Sequence, residues 1–249
     1  MTTYVGSRTQ RVDSAGKVTG EAVYAVDVQM SGMLFGSAVR SPYPHARIVS
    51  IDASAAWGVP GVKAIVTGAD FPHLFGSAIK DQPFLAVDRV RFIGEPVVAI
   101  AAESEHAAQR ACDLIRVEYE ELPAVLEVPE ALAENAPLLH PDLHNSERGG
   151  HEIVPHTNIS TVYRHSRGDI EAGFAAADYI FEGEYSAHGL SHVALEVHAA
   201  VAQYDQASQG YTLWVSTDRP FMLRKEITNS LGLDHTQVRL KVMQVGGSF

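Results

Sequence analysis

The sequence has a single cysteine, and this scarcity excludes several kinds of site. Cys112 is the only cysteine among 249 residues. The chain can therefore form no internal disulfide and no zinc or iron–sulfur centre of the CxxC type. Cys112 falls in ESEHAAQRACDLI, on the same side of a predicted helix as Ala108 and Ile115. This apolar side favours a thiol packed in the core over a reactive one.

Long apolar runs and clustered basic residues are missing too. No uninterrupted apolar run is long enough to span a membrane, and the N-terminus lacks the apolar centre of a secretory signal peptide. We therefore expect a cytoplasmic protein with no membrane partner. The formal net charge is −11 and the basic residues are scattered. This argues against a nucleic-acid partner, because neutralising phosphates needs a basic face.

Several common catalytic motifs are also absent. The chain has no GxSxG, no P-loop and no GxGxxG, so nothing in it points to a serine hydrolase, a nucleoside triphosphatase or a nicotinamide enzyme. Hydrophobic residues make up 46% of the chain and charged residues 20%. This balance is typical of a folded globular protein.

The first 122 residues alternate between strand-like and helix-like segments. Strands are predicted over 32–41, 45–54, 89–103 and 115–122, with a helix after a Ser104 cap. Residues 54–71 are predicted to form a short helix, a Pro-Gly turn and a further strand. Gly94 and Pro96 interrupt the Val/Ile-rich strand, which predicts a bulge or an edge position. The acidic residues near Glu120 follow a strand pattern and are interpreted as a solvated face.

The rest of the chain divides into a connection and a second unit. Residues 123–166 are rich in proline, asparagine, glycine and histidine, which predicts an extended connection with one short helix at 129–134. After it we predict a helix starting at Asp169, two strand-like runs within 179–205, a strand at 211–218, a helix ended by Gly232 and a strand at 236–245. The predicted fold class is α+β.

Four side chains in AHGLSHVALEVHA raise the question of a metal site. On a helix, His188, His192 and Glu196 would share one face, as zinc ligands do. The apolar residues between them alternate, however, which favours a strand. A strand would put His192, Glu196 and His198 on one side, too widely spaced for tetrahedral ligation. We therefore predict no metal ligand in this chain and interpret Glu196 as a hydrogen-bonded, buried carboxylate.

The sequence closes on QVGGSF, a glycine-rich loop that follows a predicted strand. Glycines allow the backbone to approach a ligand closely, and consecutive backbone N–H groups favour an anion. The residues alone thus indicate a soluble protein of strands and helices with an incomplete glycine loop.

The local motifs, taken in order, are more specific. RVDSAGKVTGEAVYAVDV, RSPYPHARIVSIDAS, PGVKAIVTGADFP, VRFIGEPVVAIAAES and VEYEELPAV resemble the α/β hammerhead domain of the molybdenum hydroxylases, the xanthine oxidase and aldehyde oxidoreductase family. RGDIEAGFAAADYIFEGEYSAHGLSHVALEVHAAVAQYD resembles the start of the family's first molybdopterin-binding domain. LWVSTDRPF and VGGSF resemble two later landmarks of that domain. The resemblance extends over nearly the whole chain.

The resemblance implies a cofactor and a site. Family members hydroxylate a carbon beside nitrogen, or an aldehyde carbon, with water as the oxygen source. In the family a GGxFG loop wraps a molybdenum–molybdopterin cofactor, which here corresponds to Gly246, Gly247, Ser248 and Phe249. The general base of the family is a glutamate in a further molybdopterin-binding domain, so we expect no catalytic base in this chain.

One position departs from the family pattern. The family has a glutamine in a Ser-Thr-Gln segment close to the molybdenum oxo ligand, whereas this sequence has Asp218 after Ser216 and Thr217. A carboxylate donates a hydrogen bond only when protonated, and otherwise adds negative charge beside an anionic centre. Either Asp218 is protonated, or it points elsewhere, or the site is altered.

The resemblance also implies domains and partners. The expected domains are a hammerhead domain over 1–122, a connecting segment over 123–166, and the N-terminal part of a molybdopterin-binding domain over 167–249. The expected function is the N-terminal portion of a molybdenum hydroxylase that needs a C-terminal half, an iron–sulfur subunit and an FAD subunit. The alternative is a non-catalytic hammerhead remnant that acts as an assembly module.

Overall fold

The computed structural model describes residues 5–76, 79–142, 154 and 156–249. Its strands are β1 (Phe35–Arg40), β2 (Ala46–Asp52), β3 (Val62–Thr67), β4 (Leu74–Phe75), β5 (Gln82–Pro83), β6 (Arg89–Val90), β7 (Pro96–Ala102), β8 (Arg116–Glu121), β9 (Ala200–Asp205), β10 (Gly210–Val215) and β11 (Val238–Val242). Its helices are α1 (Ser14–Thr19), α2 (Glu105–Leu114), α3 (Val128–Ala131), α4 (Ile170–Ala175) and α5 (Pro220–Leu231). Short 3-10 turns lie at Ala25–Asp27, Ala56–Gly58 and His235–Gln237.

The packing divides the chain into two units. One unit is Gly32–Gly189, and the other combines the residues up to Ser31 with Leu190–Phe249. Residues 167–189 thus group with the first unit, although the sequence-based division assigns them to 167–249. The predicted boundaries at 122 and 166 stay a prediction, because packing units and sequence domains need not coincide.

The core of the Gly32–Gly189 unit lies between a sheet and α2. Strand β7 is central in the order β1-β7-β3, and its Val97, Val98 and Ile100 are buried. Helix α2 packs on this sheet and buries Cys112 together with three alanines. The Ser104 side chain accepts a hydrogen bond from the N–H of Ala107 at 3.1 Å, as expected of an N-cap. The packed-thiol interpretation and the cap are therefore confirmed.

The interruption before β7 forms a bulge and not an edge. The register of β1 against β7 shifts between Val39 and Arg40, which faces Pro96, whereas β7 itself is central. The predicted bulge is confirmed and the edge alternative is wrong. Pro96 is tolerated because it is the first residue of the strand, where a missing N–H matters least. The preceding Glu95 is buried and accepts the N–H of Arg91, and burial raises the pKa of this carboxyl.

A second sheet of this unit pairs β2 with β6 and β8 in antiparallel fashion. On its exposed side, Arg47 pairs with Glu120, and the Ser50 hydroxyl donates to Glu118 at 3.1 Å. The predicted solvated acidic face is confirmed, with the addition that cross-strand partners neutralise part of it.

The other unit is built on a mixed three-stranded sheet in the order β11-β10-β9. Strand β10 runs antiparallel to β9 and parallel to β11, and α5 is the crossover between the two parallel strands. Helix α5 ends where Gly232 adopts a left-handed conformation. The predicted strands at 211–218 and 236–245 and the helix between them are confirmed, although the observed strands are shorter.

The predicted strand-like runs within 179–205 form only in part. Strand β9 covers Ala200–Asp205, whereas 179–199 has no regular secondary structure. A strand needs a neighbour for its backbone N–H and C=O groups, and no described segment pairs with 179–199. Its apolar side chains are accordingly exposed, with Phe181, Tyr185 and Leu195 at 91%, 94% and 99% exposure.

The helices of the described chain are short. Within the described ranges, none combines the length and apolar character that crossing a bilayer requires.

Candidate functional site

The glycine loop and the Ser216–Asp218 segment lie at the same edge of one sheet. Strands β10 and β11 are parallel, so the segments that follow their carboxyl ends come together there. Beyond the paired residues, the N–H of Met243 donates to the carbonyl of Val215 at 3.0 Å and keeps the two segments side by side. The topology therefore places the two predicted parts of the site next to each other.

Glu196 joins three segments at this edge. Its Oε2 accepts the N–H of Gly246 at 2.6 Å, and its Oε1 accepts a short hydrogen bond from the Ser216 hydroxyl. The Ser216 Oγ also lies 2.9 Å from the carbonyl oxygen of Gln244. The predicted hydrogen bonding of the Glu196 carboxylate is confirmed, whereas the residue is only partly buried and not buried as predicted. From the sequence, Ser216 was noted only as part of the segment that leads to Asp218, and Gln244 was given no role.

Alternate residues before β9 face the glycine loop. The rings of His192 and Phe249 lie 5.8 Å apart at 59°. A Cβ added to Gly247 would lie 2.8 Å from the Cβ of Ala194. Together with the bond from Gly246 to Glu196, these contacts show that the loop lies along residues 192–196.

The intervening residues of this segment are exposed. Val193, Leu195 and Val197 show 77%, 99% and 62% exposure. The apolar alternation read from the sequence is thus real, although the segment is not a regular strand. One side of it supports the loop, and the other side is an apolar surface.

Close contacts leave no room for a side chain at either loop glycine. A Cβ on Gly246 would lie 2.4 Å from the Cβ of Glu196, closer than real Cβ atoms approach. Gly247 has a φ of +155°, and its added Cβ would meet both Ala194 and the ring of Phe249. Any larger residue would therefore push the loop away from the segment beneath it.

Asp218 contacts the loop through Ser248. The Ser248 hydroxyl donates to Asp218 Oδ2 at 2.8 Å, and Arg219 Nε lies 3.6 Å from Oδ1. The Ser248 hydrogen bond, followed by the smaller attraction of Arg219, lowers the pKa of Asp218. Asp218 is therefore an ionised acceptor at neutral pH, and the protonated alternative has no support. The carboxylate takes part in holding the loop.

The loop retains backbone donors for a ligand. Within the described residues, the N–H groups of Gly247, Ser248 and Phe249 have no hydrogen-bond partner in the chain. The carboxylates of Glu196 and Asp218 already accept hydrogen bonds from the chain. Three consecutive N–H donors on a tight glycine backbone suit an anionic ligand such as an oxo group or a phosphate. These residues fit a molybdenum–pterin cofactor.

The histidines near this site form no ligand cluster. In the parts of the chain that the structure describes, no group of three or more His, Cys, Asp or Glu side chains is arranged to hold a metal ion. His192 contacts Phe249, whereas His188 and His198 are not part of any such group. His144 and His151, in the connecting segment, lie outside the described residues.

Two family models match the chain. The α/β hammerhead domain of aldehyde oxidase and xanthine dehydrogenase matches residues 19–123, and the molybdopterin cofactor-binding domain matches residues 151–249. The second match includes the loop, Asp218 and Glu196.

Named relatives agree with both models. A probable xanthine dehydrogenase subunit from Bacillus subtilis is 39% identical over 242 residues, which is 96% of this chain and 30% of that protein. The nicotinate dehydrogenase large molybdopterin subunit of Eubacterium barkeri is 36% identical over 98% of this chain and 55% of its own length. The crystal structure of quinoline 2-oxidoreductase from Pseudomonas putida 86 superposes with a TM-score of 0.84, at 32% identity, over 98% of this chain and 31% of that one.

This chain therefore spans about a third to a half of the length of these relatives. The matches nevertheless extend over both units of the fold and include the loop. The chain belongs to the aldehyde oxidase and xanthine dehydrogenase family of molybdenum hydroxylases, of which it comprises the α/β hammerhead domain followed by part of the molybdopterin cofactor-binding domain.

Proposed function

We propose that this chain supplies one wall of the cofactor site in a molybdenum hydroxylase that oxidises a carbon next to a ring nitrogen, with water as the oxygen source. The observation that carries the proposal is the loop at 246–249, which presents three unpaired N–H groups beside Asp218 among the described residues. The cofactor-binding residues would be Gly246, Gly247, Ser248 and Phe249, with Asp218 in support.

The chain's own residues would bind and orient the cofactor. A molybdenum–molybdopterin cofactor, when bound, would supply the two-electron chemistry. The N–H groups of Gly247, Ser248 and Phe249 would donate to an anionic oxygen and stabilise its charge without reorganising. Asp218 would fix Ser248, and Glu196 would fix Gly246. Asp218 would thus act on the loop, in contrast to a glutamine that donates directly to the cofactor.

The proposed substrate class is an N-heterocycle, and an aldehyde is the second possibility within the same family. The relatives named above include a nicotinate dehydrogenase and a quinoline 2-oxidoreductase, whose names specify N-heterocycles. The base that deprotonates the nucleophile would come from outside this chain, in a further part of the molybdopterin-binding region.

Electron transfer would require partners. With Cys112 as its only cysteine, the chain cannot ligate an iron–sulfur cluster by itself. We propose an iron–sulfur subunit, an FAD subunit and a C-terminal molybdopterin-binding half, either as separate chains or as one longer polypeptide. Because the Eubacterium barkeri relative is matched over 55% of its length, it is about half as long as the relatives matched over 30%, which supports a divided arrangement.

The non-catalytic remnant is the less favoured alternative. A remnant that kept only the hammerhead domain would not need Gly246 and Gly247 packed tightly against Glu196 and Ala194. The match to the cofactor-binding model over 151–249 also speaks against it.

The test is co-expression of this chain with the C-terminal molybdopterin-binding half and the two redox subunits, in a host that makes the molybdenum cofactor. The expected result is a complex with about one molybdenum per copy of this chain, which hydroxylates an N-heterocycle with a dye as electron acceptor. The matched control is the same complex with the glycines at 246 and 247 both replaced by valine, which should assemble without molybdenum. A stable wild-type complex without molybdenum would contradict the proposal.

A further inference from the structure

We infer that Glu196 is a positioning residue for the cofactor: its carboxylate holds Gly246 so that the next three N–H groups of the loop face the ligand. The inference rests on the proposed function and adds to it a residue whose side chain need not touch the cofactor. The Glu196 carboxylate joins three separate segments of its unit.

Glu196 holds the loop at the residue that precedes the free donors. Its Oε2 accepts the N–H of Gly246 at 2.6 Å, whereas the N–H groups of Gly247, Ser248 and Phe249 have no partner among the described residues. A hydrogen bond to a charged acceptor is the strongest constraint the chain can place on one amide. The carboxylate therefore fixes the direction in which the following backbone leaves Gly246.

The second oxygen ties the carboxylate to the sheet. Glu196 Oε1 accepts from the hydroxyl of Ser216, which follows β10 directly, and the same hydroxyl lies 2.9 Å from the carbonyl of Gln244. Without this contact Glu196 would be free to move with its irregular segment. With this contact, the position of the loop is fixed relative to the end of β10.

The role of Glu196 is local and not part of a core. The neighbouring Leu195 and Val197 are largely exposed, and the principal buried cluster contains no residue of this segment. Val193, a β-branched residue, has a φ of +41°, an unfavourable conformation that persists only where neighbouring contacts hold it. The ring of the adjacent His192 lies 5.8 Å from that of Phe249 in the loop. Removing the Glu196 carboxylate should thus change the loop more than the stability of the unit.

Glutamine is the informative replacement for Glu196, because the hydrogen bonds around Ser216 and Gly246 can all be kept with it. The Ser216 hydroxyl has one proton and two neighbouring acceptors, Glu196 Oε1 and the carbonyl of Gln244. The variant Glu196→Gln can accept the N–H of Gly246 with its oxygen and donate its amide to Ser216, whose proton then goes to Gln244. The whole chain of contacts survives. In Glu196→Ala it is lost.

The experiment measures amide exchange and cofactor retention separately. In the 249-residue chain, labelled with isotopic glycine and kept dilute enough to remain monomeric, the Gly246 amide should exchange about 10- to 100-fold faster in Glu196→Ala than in the wild type. In the co-expressed complex, the same variant should retain molybdenum about 10- to 100-fold more weakly during dialysis. Glu196→Gln keeps the contacts but with a neutral acceptor, so it should restore most of both values. The control Glu184→Ala, at an exposed carboxylate without a hydrogen bond in the described chain, should change neither.

The outcomes separate this inference from the proposed function. Unchanged Gly246 exchange in Glu196→Ala, or faster exchange with unchanged molybdenum retention, would overturn the positioning role. A wild-type complex without molybdenum would overturn the proposed function, while the exchange measurement would still test the hold on Gly246. If Glu196→Ala does not fold, Ser216→Ala takes its place, because it removes the link to β10 and should give a smaller increase in both readouts.

Discussion

At the scale of single residues, two glycines carry the geometry of the loop. Gly246 and Gly247 lie so close to Glu196 and Ala194 that a methyl group fits at neither position. The glycine pair was visible in the sequence as a ligand loop. Its packing partners were not, because Glu196 is 50 residues away along the chain.

The first prediction concerns Gly246. Gly246→Ala should displace the loop, because the new Cβ would lie 2.4 Å from the Cβ of Glu196. We expect the co-expressed complex to lose at least about tenfold in molybdenum retention, since supporting contacts of a metal site typically contribute that much. Molybdenum content after dialysis is the measurement.

Gly173→Ala is the matched control. Gly173 lies within α4 and has open space where a Cβ would be. Alanine there should leave molybdenum retention unchanged and stabilise the helix by about 0.5–1 kcal/mol. Equal molybdenum retention in the Gly246 and Gly173 variants would contradict the steric argument.

The second prediction concerns the charge of Asp218. The hydrogen bond from Ser248 is the largest cause of its lowered pKa, so Ser248→Ala should raise that pKa toward the ordinary value of an aspartate. A carboxyl titration followed by NMR measures the change. Asp234, whose pKa is lowered mainly by Thr236, is the internal control and should not move. An unchanged Asp218 pKa would show that Ser248 does not bond to it in solution.

The sign of the pH dependence follows from the same contact. The pKa of Asp218 is lower in the folded chain than in the unfolded one, so its contribution to stability is complete above the ordinary aspartate pKa. It is lost as the pH falls through the lowered value. The hold of Asp218 on Ser248 should therefore be intact at neutral pH and weaken as the pH falls below the ordinary aspartate pKa.

At the scale of elements, β7 is the strand on which the hammerhead sheet depends. It lies between β1 and β3, and its valines and isoleucine fill the space beneath α2. Its Val/Ile-rich sequence predicted a strong strand. That it is central, and not at an edge, follows from pairing with strands that lie about 30 to 60 residues earlier.

The third prediction tests this core. Val98 is fully buried. Because Val98→Ala removes two buried carbon atoms and leaves a cavity, we expect the free energy of unfolding to fall by about 2 kcal/mol. Urea denaturation followed by circular dichroism measures it. Val128→Ala, at a 71% exposed valine of the same unit, should cost less than about 0.5 kcal/mol. Equal losses in the two variants would contradict the assignment of the core.

At the scale of the whole molecule, residues 179–197 carry exposed apolar side chains at an unusually high density. Between Tyr179 and Val197 the exposed large apolar residues are Tyr179, Ile180, Phe181, Tyr185, Leu190, Val193, Leu195 and Val197. A soluble chain rarely leaves so many apolar side chains in water without a partner. Among them, Val193, Leu195 and Val197 alternate along the chain. This alternation suits pairing with strands from the remainder of the molybdopterin-binding region that we propose as the partner.

The fourth prediction follows from this segment. The isolated chain should self-associate, and a variant with Phe181→Ser, Tyr185→Ser and Leu195→Ser should remain monomeric at concentrations where the wild type does not. Sedimentation velocity measures the difference.

A triple serine variant at Val12, Val18 and Val26, which are also exposed, is the control and should associate like the wild type. A wild-type chain that stays monomeric at high concentration would contradict the prediction.

The sequence by itself determined which segments form helices and which form strands wherever the local signals are strong. These signals are the Ser104 cap, the Gly232 helix end and the Val/Ile-rich strands. Its ordered motifs also indicated the family, the loop at 246–249 and the unusual Asp218. These features depend on neighbouring residues and on local backbone preference.

Only the tertiary structure decided what those parts do to one another. The parallel pairing of β10 with β11 brings Asp218 to Ser248, and the run before β9 brings Glu196 to Gly246. In the tertiary structure, residues 179–199 also lack the strand structure that their alternation predicted. The physical reason is the same in each case: a hydrogen bond or a strand needs a partner, and here the partner is distant in the sequence or absent from the described chain.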